Sequence, residues 1–269
     1  SRSRMGGCGS AACPPLPLSR ISLRGAATHP YDMEHRAGCL ICGRDILYSE
    51  EPRDLPCAVC GDIRSTTAAC GAGHFVCDRC HSLEALDLIE EFCIATDLED
   101  PLAVACILMR CPAVRMHGPE HHFLVPASLI AAYCNHRGEP GRKAPLVRQA
   151  RARADMVPGG FCGSHGTCGA AIGTGIFVSL ITGSTPLKKQ EWSLANQMTA
   201  RSLMTIARHG GPRCCKRDSW LAIRAAVTFL SERFGITLPM PDAVRCEFSD
   251  INRECLREAC PFHAGYATG

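Results

Sequence analysis

Residues 70–92, CGAGHFVCDRCHSLEALDLIEEF, hold the turning point of this chain. In the first half Cys70, His74, Cys77 and Cys80 sit among the turn residues Gly71 and Gly73. Sulfur and imidazole ligands spaced this way on tight turns can converge on a metal ion. The second half changes period. Leu83, Leu86, Ile89 and Phe92 recur at helical spacing, and Ser82 is placed to cap them. A metal-bound segment gives way here to a helical one.

Upstream the ligand pattern continues with the C-x2-C pairs Cys39/Cys42 and Cys57/Cys60. The run from Cys70 to Cys80 has the cadence of a RING or treble-clef finger. In a cross-brace, first and third pairs share one ion, and second and fourth share the other. Cys39, Cys42, Cys70 and His74 are then expected to hold one zinc, and Cys57, Cys60, Cys77 and Cys80 a second. His81 is a spare ligand. One pair lies upstream where a true RING has it downstream, which argues against a ubiquitin ligase. So small a segment cannot bury enough apolar surface to fold without metal, and the ions read first as staples.

The expected fold class is mainly α, a small zinc module of treble-clef or RING-like cross-brace type followed by an all-helical domain. Residues 1–34, rich in Gly, Ser, Pro and Arg, are expected to be a flexible leader carrying the stray thiols Cys8 and Cys13. The module spans 35–82 and the helical domain 83–269. Asp100-Pro101 reads as cap and first residue of a helix through Met109. Pro126 is expected to open a helix ending at Gly138. Further helices are expected over 142–153, 167–181 and 189–208. Asp218 is expected to cap a helix ending at Gly235, and Asp250 a short one running into Cys260-Pro261.

Composition narrows the function classes. A net charge of +3 gives no global attraction to nucleic acid, and 6% aromatic residues leave little for base stacking. No apolar run reaches membrane-spanning length. The N-terminal stretch shows no apolar signal segment, so 20 cysteines point to metal and sulfur chemistry in a reducing cytoplasm rather than to a disulfide framework.

A second set of cysteines lies in the helical part. Gly159 to Gly169, GGFCGSHGTCG, is a glycine loop entering a helix with Cys162 and Cys168 on it. Gly210 to Asp218, GGPRCCKRD, places Cys214 and Cys215 before another helix. Free N–H groups at a helix start favour an anionic sulfur, and Arg213, Lys216 and Arg217 are expected to lower the thiol pKa values. These four are the candidates for catalytic thiols. Cys246, Cys255 and Cys260-Pro261 form a third group, three thiolates for a four-iron cluster cofactor whose fourth position is open or filled from elsewhere, with zinc and a fourth ligand as the plainer alternative. Cys93, Cys106 and Cys134 fall on helical faces and read as core, while Cys111, before Pro112, is left undecided. His117-Gly-Pro-Glu120-His121 matches H-x-x-E-H, but Gly118-Pro119 keeps both histidines from sharing one helical face. A polar cluster lining a pocket with His122 is the expected role. The arginines between Arg137 and Arg153 read as a solvated face.

The strings GHFVCDRCHS, MHGPEHHFLVPASLIAAY, GGFCGSHGTCGAAIGTGIFVS and GGPRCCKRDS resemble a cysteine-rich domain family of unknown function, over roughly residues 35 to 265. That family is found mainly in anaerobic archaea and bacteria, with some members fused to SAM-dependent methyltransferases or encoded near radical-SAM genes. The piece CGAAIGTG also resembles the CGAxxG signature of a redox family. The resemblance implies an anaerobic redox or sulfur setting, with a small-molecule or sulfur substrate. The chain carries no G-x-G-x-x-G SAM loop of its own. The leading reading gathers Cys162, Cys168, Cys214, Cys215 and some of Cys246, Cys255 and Cys260 around one iron–sulfur cluster or reactive-thiol centre beside zinc. The alternatives are a thiol-disulfide protein with structural zinc only, and a scaffold for a methyltransferase or radical-SAM partner.

Overall fold

The computed structural model describes Cys39, residues 44–57 and residues 61–266; the side chains of Arg79, Cys80, Ser82 and Leu83 fall outside that description. Cys8, Cys13, Cys42 and Cys60 also lie outside the described residues. Strands β1 (Ile46–Pro56) and β2 (Ile63–Cys70) pair antiparallel, with Ile46 opposite Cys70 and Pro56 opposite Ile63. This hairpin is the only sheet among the described residues. The remainder is helical: α1 (Asp78–Ala95), α2 (Pro101–Arg110), α3 (Glu120–His136), α4 (Pro140–Ala154), α5 (Phe161–Ser164), α6 (Gly169–Thr182), α7 (Lys189–Ala207) and α8 (Cys215–Phe234).

Helix α3 is the central rod. Every residue from Glu120 to Cys134 is buried, as expected of a helix packed on all sides. Helices α1, α2, α4, α6 and α8 lie around it. The core runs through Ile89, Leu102, Phe123, Leu129, Phe177 and Trp220. Helix α6 is made of small residues because it is pressed between α3 and α7. A Cβ on Gly173 would stand 2.8 Å from Pro126 Cδ, and one on Gly175 would stand 1.9 Å from Thr199 Oγ1.

Four helix starts differ from expectation. Helix α1 begins at Asp78, with Cys77 as its cap and Ser82 inside it. The Cys77 N–H is committed to Cys57 Sγ at 3.3 Å, so the chain leaves the finger and enters the helix in one step. Helix α3 begins at Glu120 and contains Pro126. The proline removes one bond to the His122 carbonyl, which instead faces the close-packed Gly173. Helix α8 begins at Cys215. Its cap is Cys214, whose sulfur accepts from the Arg217 N–H at 3.5 Å while Asp218 Oδ2 reaches back to the Cys214 N–H at 3.4 Å. That reciprocal pair resembles a capping box, with sulfur in place of a hydroxyl and the returning acid at the fourth helical position instead of the third. Near Asp250 only a 3-10 turn forms, Arg257–Ala259.

The Asp100 reading agrees with the structure. Asp100 accepts from the N–H groups of Leu102 and Ala103 at 2.8 and 3.0 Å, with Pro101 opening α2. Asp100→Ala is expected to lower stability by about 1 kcal/mol, seen as a lower urea midpoint at unchanged slope. An unshifted midpoint would mean that water replaces the cap without loss.

Candidate metal and thiol centres

The hairpin ladder decides where the first ligands stand. Cys70 ends β2 at the open end of the hairpin, beside the start of β1. Cys39 reaches the same end, its N–H bonded to the Arg44 carbonyl at 2.7 Å. A turn through Gly73, at φ 84°, brings His74 back. Its Nδ1 lies 3.5 Å from Cys70 Sγ and 3.9 Å from Cys39 Sγ. All three ligand atoms fall within 4.8 Å of one another. Zinc–sulfur and zinc–nitrogen bonds of about 2.3 and 2.0 Å at a tetrahedral angle give edges of about 3.6 Å, so the spacing fits one ion. The N–H groups of Ala72 and His74 donate to Cys70 Sγ at 3.4 and 3.3 Å, which suits a thiolate. The protein thus has a Cys/His group able to hold a metal. Cys42, the expected fourth ligand, lies outside the described residues.

Cys57 and Cys77 are both buried and joined by the N–H···S bond described above. Their expected partners, Cys60 and the Cys80 side chain, lie outside the described residues. His81 turns Nδ1 toward Glu120 Oε2 at 3.9 Å, too far for a hydrogen bond. Burial, reinforced by Arg115, pushes its pKa down to about 4.

The H-x-x-E-H residues depart from the expected pocket lining with His122: Glu120, His121 and His122 are buried and each takes a different partner. His117 lies before α3 and its Nε2 meets Asn252 Oδ1 at 3.2 Å and Glu254 Oε2 at 3.1 Å. His121 turns elsewhere, with Nε2 donating to the Arg115 carbonyl at 3.0 Å and Nδ1 beside Ser219 Oγ at 3.2 Å. Glu120, fully buried, folds back over Gly118 and accepts the Arg115 N–H at 2.9 Å. A side chain on Gly118 would collide with that carboxylate at 2.0 Å. The motif closes a turn; its histidines share no ligand.

The second cysteine set separates into two groups. Cys168 is the cap residue of α6 and Cys215 the first residue of α8. Cys168 lies near enough to Cys162 and to Cys215 for a negative charge on either neighbour to disfavour its own ionisation, and a charge on Cys162 or Cys215 would favour the Arg213 cation. Gly118 donates its N–H to the Cys215 sulfur. The Ala170 and Ala171 amides favour a thiolate at Cys168, although neither closes a full capping bond. The metal module touches this neighbourhood at two points. Gly159 N–H donates to Asp78 at 2.8 Å, and Arg213 donates to the Tyr48 hydroxyl at 3.0 Å while lying over its ring.

Cys214 turns away from that group, as adjacent residues at a helix start must. Its sulfur accepts from Asn252 Nδ2 at 3.5 Å, and its charge interacts with that of Cys246. Cys246 in turn interacts with Cys255 and Cys260. None of these sulfurs forms a trio within 4.8 Å, so neither group is drawn to single-ion spacing as the Cys39 group is.

The expected lowering of thiol pKa values is not found. Burial pushes Cys168 and Cys214 up to about 12, and Cys215 also well up even though its residue keeps some exposed surface. The cations are spent elsewhere. Arg217 pairs with Asp218 at 3.0 Å and with the Gly210 and Pro212 carbonyls. Lys216, fully buried, donates to the Met109 and Val114 carbonyls at 2.9 and 3.1 Å, and burial lowers its pKa to about 8. Cys93 and Cys134 are core residues as expected, Cys106 packs at the core edge, and Cys111 follows α2 with its sulfur facing the Ala113 N–H. On the basic face, Arg148 and Arg151 pair with Asp87 and Glu90 of α1.

A family profile described as "Family of unknown function (DUF5714)" matches residues 89–263, more than half of the sequence. The chain belongs to this family. The DUF5714 segment begins inside α1 and takes in every cysteine of the second set, while Cys39 to Cys80 lie ahead of it. No curated protein and no solved structure matches the chain. No helix among the described residues is long and apolar enough to cross a membrane.

Proposed function

We propose that this protein is a metal protein whose chemistry resides at Cys162, Cys168 and Cys215, which together hold an iron–sulfur cluster with one position left to a small-molecule ligand. Two zinc ions, on Cys39/Cys42/Cys70/His74 and on Cys57/Cys60/Cys77/Cys80, brace the module beside it as a cross-brace. The observation that carries this reading is that two helix starts and a glycine loop bring Cys168 within electrostatic reach of both Cys162 and Cys215, with Arg213 within reach of Cys162 and Cys215. The Cys168 thiol, held near pKa 12, is nearly all protonated at neutral pH and reacts poorly by itself, and burial pushes Cys215 the same way. A metal supplies the positive charge that deprotonates them, so burial favours a metal centre over thiol–disulfide cycling. Cysteine thiolates with amide donors are the usual support of such clusters, whose thiolates stand farther apart than those on a single ion. A cluster bound there supplies electron transfer, or a Lewis-acidic iron at the open position. Arg213, held by Tyr48, offers a fixed cation to an anionic ligand arriving at the same place. Redox or sulfur metabolism is the setting that fits this chemistry.

The test is iron, zinc and acid-labile sulfide content with a visible spectrum, on full-length protein purified without oxygen. Wild type is expected to be coloured, and Cys168→Ser and Cys215→Ser are expected to lose iron and sulfide while keeping zinc. Colourless wild type, or variants that keep all their iron, would remove the proposal.

A further inference from the structure

The C-terminal segment raises a separate question. From Ile236 to Tyr266 the chain forms one 3-10 turn and no other regular element. Two aromatic contacts hold it to α8: Trp220 packs on Phe248 and Phe262, with ring centroids 6.4 and 5.0 Å apart. The segment then folds back on itself, Cys246 N–H bonding to the Phe262 carbonyl at 2.7 Å. This return brings the stretch around Cys260 back to Cys246, and Asn252 of the same segment meets Cys214 at the start of α8.

The sulfurs there are dressed alike. Cys214 accepts from the Arg217 N–H at 3.5 Å, Cys246 from the Phe248 N–H at 3.4 Å, and Cys255 from the Arg257 N–H at 3.4 Å. The i to i+2 turns at Cys246 and Cys255 repeat the geometry by which Ala72 N–H meets Cys70 in the metal-ligand group. Asn252 adds a second donor to Cys214. It is buried, and its Oδ1 is occupied by the Glu254 N–H at 3.1 Å and by His117 Nε2. That fixes the amide so that Nδ2 points at Cys214 Sγ at 3.5 Å. Asn252 also ties the second turn in, its carbonyl accepting the Cys255 N–H at 3.2 Å. Donors converging on sulfur stabilise thiolate over thiol.

We infer that Cys214, Cys246, Cys255 and Cys260 form a four-thiolate site for a soft metal centre, which fastens the C-terminal segment to the start of α8. Cys214 is the fourth ligand that the three C-terminal cysteines lack in sequence. The site is distinct from the Cys162/Cys168/Cys215 centre and does not depend on it. Four sulfur ligands with no open position suit a fully ligated iron–sulfur cluster at the spacing they have, and a closed zinc site only once the ion draws them closer.

An alkylation map of the full-length chain, purified without oxygen, tests this. Iodoacetamide reactivity of each cysteine is read by peptide mass before and after metal is stripped with a strong chelator under reducing conditions. The partly exposed Cys246 and Cys255 report best, since burial alone does not hide them. Both are expected to react at least about tenfold more slowly in metal-loaded protein, and to become reactive together with Cys214 and Cys260 on stripping. Metal analysis of Cys246→Ser is expected to show one centre fewer, zinc or iron with sulfide according to which is held. Equal alkylation rates at Cys255 before and after stripping would overturn the inference without any variant. The behaviour of Cys162 and Cys168 in the same map tests the other centre separately.

Discussion

Stripping the metal from the Cys39/Cys70/His74 group is expected to unfold the hairpin while the helices stay intact. The hairpin has almost no core of its own. Of its strand residues only Ala69 and Cys70 are buried, and Leu47, Tyr48 and Ile63 are 59, 62 and 71% exposed. A two-stranded ribbon is marginal in water, and this one lacks an apolar face to dock. A structural zinc site supplies on the order of 10 kcal/mol to such a unit. The helical domain rests instead on the core around α3 and keeps its fold without that ion.

Limited proteolysis within 44–76, read beside helical circular dichroism, separates the two parts. Chelation, or His74→Ala, is expected to open the hairpin to protease with little change in the helical signal. His74→Cys is expected to restore protection, since four thiolates also make a closed zinc site. A hairpin equally resistant with and without metal would show that β1 and β2 are held by something other than the ion. Loss of the hairpin also removes Tyr48 from Arg213, so the same chelation is expected to reach the thiol centre indirectly.

Local chemistry was legible in the sequence, and convergence was not. Asp100-Pro101 announces a helix start because cap and first turn are neighbours in the chain. Cys70 and His74 announce a ligand pair for the same reason. Pro126 misleads because the room its ring and the freed His122 carbonyl occupy is left by Gly173, on another helix far along the sequence. Cys214 hides its role as a cap because sulfur is a weak acceptor that cap statistics rank low, and Asp218 nearby looks the better choice. The separation of Cys214 from Cys215 follows from the helix start, but what each meets depends on Asn252 and Gly118, segments that no local spacing connects to it. The thiol pKa values went astray on the same ground. Arg217 and Lys216 are neighbours in sequence, yet their charges are used on Asp218 and on backbone carbonyls, and burial decides the outcome.

Gly169→Ala is expected to lower stability by about 3 kcal/mol, a large effect for one methyl group. A Cβ at this position would stand 2.0 to 2.4 Å from the His122 ring, closer than atoms can approach. The ring cannot step aside cheaply. His122 is 9% exposed and its Nδ1 meets the Val157 carbonyl at 3.0 Å, so moving it breaks a hydrogen bond on the segment leading into the glycine loop. The backbone cannot shift freely either, because Gly173, one turn along, is so close to α3 that even a Cβ there would stand 2.8 Å from Pro126 Cδ and 3.0 Å from the His122 carbonyl. Helix propensity works the other way, alanine gaining up to about 1 kcal/mol over glycine, so a clear net loss can only come from the packing. The double variant Gly169→Ala/His122→Ala removes the clash and is expected to be more stable than the two single changes added together. Strict additivity in chemical denaturation would show that the α3–α6 contact does not set this position. Cys168 adjoins Gly169 at the start of α6, so the same displacement is expected to weaken iron retention at the thiol centre. The glycine that lets two helices approach is therefore also the residue that sets where the cysteine beside it stands.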